Sequence, residues 1–193
     1  MVELDQKLFI WINNFAGKSS IVDNLASILC SDHFFPVLLS LLLLGLWFGA
    51  NNLKNRVLYQ KCVFMSFIGL AIANLSVALV NFIFFRDRPF NNHEVTLLFY
   101  EPTDSSFPSN AIAATTALAC GIWIANKRLG SISFGAVLIF GFIRIFSGIH
   151  YPIDILGGLL IGILSTVVAR YIIKLLDPIV MKIIKAGRIL ILA

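Results

Sequence analysis

Five long apolar stretches constrain this chain more than any other feature of its sequence. They cover residues 33–50, 57–85, 107–125, 132–149 and 153–173. Crossing the hydrocarbon core of a bilayer takes about 20 helical residues, and each stretch reaches or approaches that length. With 59% hydrophobic and 13% charged residues, the composition also lies outside the range of soluble domains. The sequence therefore predicts an all-α integral membrane protein, a bundle of five to six membrane helices.

The two ends of the chain differ from this pattern, because apolar and polar residues alternate there. Residues 1–31 contain no apolar run of spanning length, so "LDQKLFIWINNF" and "SIVDNLASILC" are predicted to form interfacial helices. Residues 176–193 interleave basic and apolar positions, which predicts an amphipathic helix on the cytoplasmic surface. We expect a single membrane-embedded domain over residues 1–193, with its transmembrane core at 33–175.

Basic residues predict the orientation of the bundle. The tail is basic, and further basic pairs follow the first and third apolar stretches: Lys54 with Arg56, and Lys127 with Arg128. Such loops stay in the cytoplasm, so the connections at 86–106 and 149–153 should face outward. The net charge of +5 is explained by this topology and by affinity for anionic membrane lipids. A nucleic-acid partner is not expected.

Polar residues with phosphate-binding character gather on the outward side. "FFRDRPF" places Arg86 and Arg88 at the outer end of the second stretch. "SSFPSNA" opens the third stretch, where Ser106 suits an N-cap and Pro108 the first helical turn. Ser109 would then present its hydroxyl and backbone N–H at the positive end of the helix dipole. A helix start of this kind binds phosphate well.

A third polar cluster, "IRIFSGIHYPIDILGG", joins the fourth and fifth stretches. Arg144 lies near the end of the fourth stretch, and His150 precedes Pro152, which suits the start of the next helix. Asp154 stands four residues after His150, within reach to accept the proton of one ring nitrogen. The other nitrogen would then be free as a nucleophile.

Each of these residues also has an ordinary structural explanation. A single arginine at the end of a span is often a snorkelling anchor, and a Ser-Pro pair before a helix is a common start signal. Their joint placement on one side of the membrane favours function. Two helix starts and up to three arginines around one histidine match the charge of a transferring phosphoryl group.

The spacing in the third cluster resembles a motif of the type 2 phosphatidic acid phosphatase superfamily. The three motifs of that family read K-x6-R-P, P-S-G-H and S-R-x5-H-x3-D. Arg144, His150 and Asp154 match the third motif, with Ile143 where the serine usually stands. The family has a helical membrane bundle, which agrees with the apolar stretches around the motifs.

The other two motifs are matched in part. The first keeps Arg-Pro at 88–89 and has Asn81 at the lysine position. The second keeps Pro-Ser at 108–109 and has Asn110 for the glycine and Ala111 for the histidine. Within the superfamily, the layout is similar to small bacterial undecaprenyl-diphosphate phosphatases associated with bacitracin resistance. "RVLY", "RPF", "SFPS" and "HYPIDILGG" occur in the same order, and those relatives also tolerate loss of the lysine.

The resemblance implies roles for the matched positions. His150 would be the nucleophile that forms a phosphohistidine, and Asp154 its orienting partner. The positions expected to bind the substrate phosphate are Arg88, Ser109, Asn110, Arg144 and, more weakly, Asn81. We add Arg86 because it stands beside Arg88. The family chemistry implies neither a metal ion nor another cofactor.

Ala111 stands where the family has the histidine that protonates the leaving group, and three explanations are open. The first, which we prefer, is an inactivating replacement of that histidine. The second is a diphosphate substrate, because a departing lipid monophosphate has a pKa of about 6 and needs little help, whereas an alkoxide needs a general acid. The third is replacement by another acid, for which His93, Glu101 and Asp104 are candidates.

The sequence thus predicts a lipid phosphatase, or its inactivated form, in the bacterial cytoplasmic membrane with an outward-facing site. The resemblance implies undecaprenyl diphosphate as the substrate and recycling of this carrier lipid for cell-wall synthesis. Phosphatidylglycerophosphate, phosphatidic acid and the lipid A 1-phosphate present a similar group and are alternatives. A non-catalytic protein that binds lipid phosphates is the alternative from a different class.

Overall fold

The computed structural model describes residues 2–50 and 52–189, and every regular element in these ranges is an α-helix. The helices are α1 (Val2–Asn13), α2 (Ser20–Leu29), α3 (Phe34–Phe48), α4 (Leu53–Ile83), α5 (Pro89–Asn92), α6 (Asn110–Ala125), α7 (Lys127–Phe146), α8 (Pro152–Leu175) and α9 (Asp177–Ile189). The predicted all-α architecture is confirmed.

The helices α4, α7 and α8 are individually long and apolar enough to cross a membrane. The helices α2 and α3 meet the same criterion only as a pair, and they are bent by 56° where they join. Helix α6 is apolar but has only 16 residues. It therefore rises about 24 Å, which is less than the roughly 30 Å of the hydrocarbon core. Each predicted apolar stretch is thus found as a helix, and the chain is a multi-pass membrane protein.

Helix α6 lies at the centre of the bundle and packs against α3, α4, α7 and α8. Its sequence, "NAIAATTALACGIWIA", is rich in small residues that let neighbouring backbones approach closely. The backbone of α8 approaches α6 closely at Gly162. A Cβ atom at this position would lie 2.5 Å from Thr116 Cβ and 2.6 Å from the Ala113 carbonyl oxygen. The glycine therefore sets the distance between α6 and α8.

Helix α6 begins three residues later than the sequence predicts. Ser109 is its N-cap and Asn110 its first residue, so Ser106 is not the cap and Pro108 precedes the helix. The Ser106 hydroxyl instead donates a hydrogen bond of 2.5 Å to the carboxylate of Asp154. A charged acceptor is the stronger partner, which explains why this side chain turns away from the helix start.

The connections between helices meet at the end of the bundle where α4 and α7 finish. The backbone N–H of Ser106 donates to the Arg86 carbonyl oxygen at 2.8 Å. Helix α1 packs against α7 and α8 at this end. From α1, the Asn13 side chain donates to the carbonyl oxygens of Thr96 and Phe146 at 3.0 and 2.8 Å. The N-terminal helix is therefore tied to the loops that surround the predicted site.

Helix α9 corresponds to the predicted amphipathic tail. Val180 and Ile184 are buried against α4 and α8, and Asp177 forms an ion pair with Lys61 of α4. The tail was predicted to continue over residues 190–193, which lie outside the described residues.

Replacing Gly162 with alanine is expected to destabilise the protein by about 1–3 kcal/mol, because the new methyl group overlaps the backbone of α6. Gly135→Ala is the matched control, since a Cβ atom at Gly135 of α7 would have no neighbour within 4 Å in the described part of the chain. The control should be neutral or should gain up to about 1 kcal/mol of helix propensity. Thermal unfolding of both variants in the same detergent measures the difference, and equal melting temperatures would contradict the close contact of α6 and α8.

Candidate active site

His150 lies in the turn between α7 and α8, and only 1% of its surface is exposed. Gly148, with φ of +85°, allows the chain to turn there. The ring nitrogen Nδ1 lies 3.0 Å from the carbonyl oxygen of Ser106. Because a carbonyl oxygen can only accept a hydrogen bond, this contact assigns the ring proton to Nδ1. The lone pair is then on Nε2.

The Nε2 atom faces three potential phosphate ligands. Ser109 Oγ lies at 3.3 Å, and Arg88 Nη1 and Arg144 Nη2 each lie at 3.4 Å. They come from the cap of α6, the start of α5 and the last turn of α7. The structure thus brings four of the predicted site residues together. Two guanidinium groups and a hydroxyl beside one lone pair form a suitable site for a phosphoryl group.

Both arginines of this site are buried and held by acidic residues. Arg88 donates to the carboxylate of Asp104 at 2.8 Å and to the carbonyl oxygen of Ile149 at 3.0 Å. Arg144 donates to the carboxylate of Asp32 at 2.6 Å. Among residues 2–50 and 52–189, no group of three or more His, Cys, Asp or Glu side chains is arranged to hold a metal ion. The charged groups at this site are instead suited to an anion.

Asp154 contacts His150 less directly than the sequence predicts. Its Oδ2 atom lies 3.7 Å from His150 Nδ1, beyond hydrogen-bond distance, and the Ser106 carbonyl oxygen is the nearer partner. The same Oδ2 accepts from the Ser106 hydroxyl at 2.5 Å and from the Tyr151 N–H at 2.7 Å. These two donors fix the carboxylate. It therefore acts on the imidazole mainly through its charge.

Arg86 and Asn81, both predicted as phosphate ligands, do not line the cavity that His150 faces. The Arg86 guanidinium donates to Asp154 Oδ1 and to Asp5 Oδ2, at 2.6 Å each. The Asn81 Oδ1 atom is buried and has no hydrogen-bond partner among the described residues. The geometry therefore places Arg86 behind Asp154, on the side of the carboxylate that faces α1.

The cavity in front of His150 has a volume of about 370 Å³. His150, both buried arginines and their acidic partners line it. Residues of α3, α4 and α6 also line it: Pro36, Leu70, Asn74, Asn110, Ala111 and Ala114. The side-chain amides of Asn74 and Asn110 have no hydrogen-bond partner within the described part of the chain. The sequence analysis did not predict Asn74 as a site residue, although a polar amide within an apolar span is a recognisable signal.

The lining of the cavity tests the three residues that were considered as proton donors in place of a histidine at position 111. His93 packs against the rings of Phe9 and Tyr151 and does not line the cavity, and neither does Glu101. Asp104 lines the cavity, but its carboxylate is engaged, because it accepts a hydrogen bond from Arg88 at 2.8 Å. Of the three candidates, none is therefore well arranged to donate a proton to a leaving group.

The environment of His150 keeps its imidazole neutral. Burial, together with the positive charges of Arg144 and Arg88, lowers the pKa of His150 from 6.5 to about 4, although Asp154 works in the opposite direction. A neutral ring with its lone pair on Nε2 is the nucleophilic form at neutral pH. Burial also lowers the pKa of Arg88, which remains far above neutrality and stays charged.

Several known proteins are similar to this chain in sequence or fold. The PAP2 superfamily model matches residues 62–177, a range that begins within α4 and ends after α8, at the first residue of α9. Undecaprenyl-diphosphatase BcrC of Bacillus subtilis is 30% identical over 165 residues, covering 83% of this chain and 80% of that protein. Putative undecaprenyl-diphosphatase YbjG of Escherichia coli is 28% identical over 173 residues, covering 88% and 82%. The crystal structure of Aquifex aeolicus LpxE superimposes with a TM-score of 0.68 at 26% identity, covering 86% of this chain and 93% of that one.

The ring of His150 is expected to titrate near pH 4 in phosphate-free buffer, well below the usual value of about 6.5. Histidine-labelled protein in detergent, followed by NMR from pH 3.5 to 8, measures this. His150→Gln identifies the signal by removing it while the signals of His33 and His93 remain. Because the unfolded chain binds this proton near pH 6.5, the contribution of His150 to stability falls as the pH drops from 6.5 to 4. A midpoint at or above 6.5 would contradict a buried neutral imidazole.

Proposed function

The chain belongs to the PAP2 superfamily, and on this premise we propose that it removes the terminal phosphate of undecaprenyl diphosphate through a phosphohistidine intermediate. The observation that carries the proposal is the arrangement at His150. A buried imidazole, neutral at pH 7, directs Nε2 at the point where Arg88, Arg144 and Ser109 converge. A nucleophile and donors for phosphoryl oxygens at one point are the requirements of phosphoryl transfer.

The reaction proceeds in two displacements. The Nε2 lone pair attacks the terminal phosphorus, and the bond from phosphorus to the bridging oxygen breaks, with its electron pair leaving on the lipid monophosphate. Water then attacks the phosphohistidine, the P–N bond breaks, and inorganic phosphate leaves as one proton of the water passes to solvent. Arg88, Arg144 and Ser109 contact the equatorial oxygens in both steps, where negative charge is spread in the transition state.

Asp154 stabilises the intermediate electrostatically. Phosphorylation at Nε2, with the proton retained on Nδ1, makes the ring cationic. The carboxylate lies 3.7 Å from Nδ1, so its charge favours this form over the neutral ring. The Ser106 carbonyl oxygen keeps the proton on Nδ1 throughout.

Apolar surface beside the site supports a substrate with a long hydrocarbon chain. An apolar groove of about 380 Å³ runs between α3 and α4 and shares Pro36 with the active-site cavity. A polyprenyl chain in this groove would leave the diphosphate in the cavity, beside His150. The names of the Bacillus subtilis and Escherichia coli relatives support undecaprenyl diphosphate as this substrate.

The distribution of charge supports a site at the outer face of the bacterial cytoplasmic membrane. Lys54 and Arg56 lie at the start of α4, and the site lies beyond its other end, after Ile83. Basic residues mark the cytoplasmic side, so the ends of α4 and α7 face outward. The site would then act on lipid diphosphate in the outer leaflet, and the whole chain would be one membrane-embedded domain.

Ala111 leaves this chain without the expected proton donor, and the effect should depend on the leaving group. An alkoxide leaves slowly without an acid, whereas a lipid monophosphate with a pKa of about 6 leaves more easily. Ala111→His is therefore expected to raise phosphate release from a lipid monophosphate ester by about 100-fold or more, and from undecaprenyl diphosphate by less. Phosphate release in detergent, with chelator present, measures both variants on both substrates.

His150→Gln is the control in each background and should abolish release. If only the Ala111→His protein turns over either substrate, Ala111 is an inactivating replacement. Equal rates for both proteins on both substrates would contradict a general acid at position 111. If no variant releases phosphate while the chain still binds the lipids, the protein is a binder of lipid phosphates and the enzymatic proposal fails.

The side-chain amides of Asn74 and Asn110, which have no hydrogen-bond partner in the described part of the chain, are candidates to bind the leaving phosphate. Asn74 and Asn110 line the same cavity as Ala111, so we expect them to be in reach of the departing phosphate. Asn74→Leu is expected to lower kcat/KM for a lipid diphosphate by about tenfold, since a hydrogen bond to a charged group contributes about 1.5–3 kcal/mol. Activity on a monophosphate ester should change by less than about twofold.

Asn55→Leu is the matched control, because Asn55 is an exposed residue of the same helix at the far end from the cavity. It should leave both activities unchanged. An equal loss on the diphosphate and the monophosphate in Asn74→Leu would contradict a contact with the leaving phosphate.

A further inference from the structure

Asp5 of α1 is a carboxylate that the proposed mechanism does not use, although only 4% of its surface is exposed. A buried carboxylate is costly unless its charge and both oxygens are compensated. Here both are. Asp5 Oδ2 accepts from Arg86 at 2.6 Å, and Asp5 Oδ1 accepts from the backbone N–H of Ile153 at 2.9 Å.

The second of these contacts reaches the helix that carries Asp154. Ile153 is the second residue of α8, and its N–H is one of the helix-start donors that have no partner within the helix. Asp5 supplies that partner from a different helix. Its negative charge is also favourable at the positive end of the α8 dipole. Asp5 therefore fixes the first turn of α8, one residue before Asp154.

The first contact reaches Asp154 itself through Arg86. The Arg86 guanidinium lies between two carboxylates and donates to each at 2.6 Å, to Asp5 through Nη2 and to Asp154 through Nη1. It also stacks over the ring of Tyr151, 4.2 Å from the ring centre. Although burial opposes the charge, the hydrogen bonds and charges of Asp5 and Asp154 raise the pKa of Arg86. Arg86 is thus held in one position and shared between the two acids.

We propose that Asp5 is a positioning residue for the phosphatase reaction, acting through Arg86 and the first turn of α8 on Asp154. The proposal rests on the proposed function for its kinetic consequences. Because Arg86 is shared with Asp5, it does not neutralise Asp154 completely. The Asp154 carboxylate keeps negative charge that stabilises the phosphorylated ring of His150. Its position near the ring is fixed by Arg86 and by the first turn of α8.

The test uses Asp5→Asn, which retains the shape of the side chain and removes its charge. Arg86 would then pair with Asp154 alone. The negative charge of Asp154 would be neutralised more completely and would stabilise His150 less. We expect kcat for phosphate release from a lipid diphosphate to fall by about tenfold, while KM changes by less than about twofold, because Asp5 does not contact the substrate. The assay uses the chain with Ala111 and the Ala111→His variant as the two backgrounds.

Glu3→Gln is the matched control. Glu3 lies two residues earlier on the same helix, is exposed, and pairs with the exposed Lys7. The variant makes the same change of charge and should leave kcat unchanged. If Asp5→Asn and Glu3→Gln give the same kcat, the proposal is wrong.

A double-mutant cycle separates positioning from a general loss of packing. If Asp5 acts through Arg86, adding Asp5→Asn to Arg86→Gln should lower kcat by less than Asp5→Asn does alone. Full additivity of the two effects would overturn the proposal. Thermal unfolding of each variant shows whether the protein remains folded.

A readout without turnover keeps the test independent of the proposed function. NMR of the histidine rings should show the signal of His150 displaced in Asp5→Asn and unchanged in Glu3→Gln. If no form of the protein releases phosphate, the proposed function fails, and the NMR comparison still decides whether Asp5 acts on the site. An unchanged His150 signal in Asp5→Asn would refute the proposal.

Discussion

Compensation of buried charge at one end of an apolar bundle is the constraint on which the rest of the structure depends. An arginine removed from water is stable only when a carboxylate or carbonyl groups satisfy it. Each arginine at this end contacts a carboxylate at 2.6–2.8 Å: Arg86 with Asp5 and Asp154, Arg88 with Asp104, and Arg144 with Asp32. The partners Asp5, Asp104 and Asp32 come from three separate segments. The ion pairs therefore also fix α1, the loop before α6 and the α2–α3 turn around His150.

The same pairs prepare the site for an anion. Asp32 and Asp104 line the cavity together with the arginines they hold, so an entering phosphate shares these guanidinium groups with the carboxylates. The arginines are fixed before the phosphate arrives, which reduces the conformational entropy lost on binding. The carboxylates also repel a dianion that stays after reaction. The proposed phosphohistidine mechanism would need both properties, because the inorganic phosphate must leave before the next turnover.

The helices and the core of the site were predictable from local sequence, whereas the residues that support the site were not. Apolar length predicts α4, α7 and α8, and the spacing around His150 and Arg144 predicts that these side chains meet. Asp5 and Asp32 belong to segments that could lie anywhere on the outward side until α1 and the α2–α3 turn are packed. The start of α6 was misjudged for a related reason. Ser106 has a good local role as a cap, but a charged partner 48 residues away, Asp154, is the stronger acceptor.

Position 111 is separate from this network of charges, and that separation explains how the site keeps its form with an alanine there. His150, the two buried arginines and their acidic partners contact one another at the cap of α5, in the last turn of α7 and in the loops, and Ser109 at the cap of α6 contacts the same ring nitrogen. Ala111 lines the cavity from the first turn of α6, where its methyl group packs at the edge of the core. A donor at 111 would act on the departing oxygen alone. In the proposed reaction, binding and attack would thus depend on the charged network, and the choice between ester and diphosphate substrates would depend on position 111.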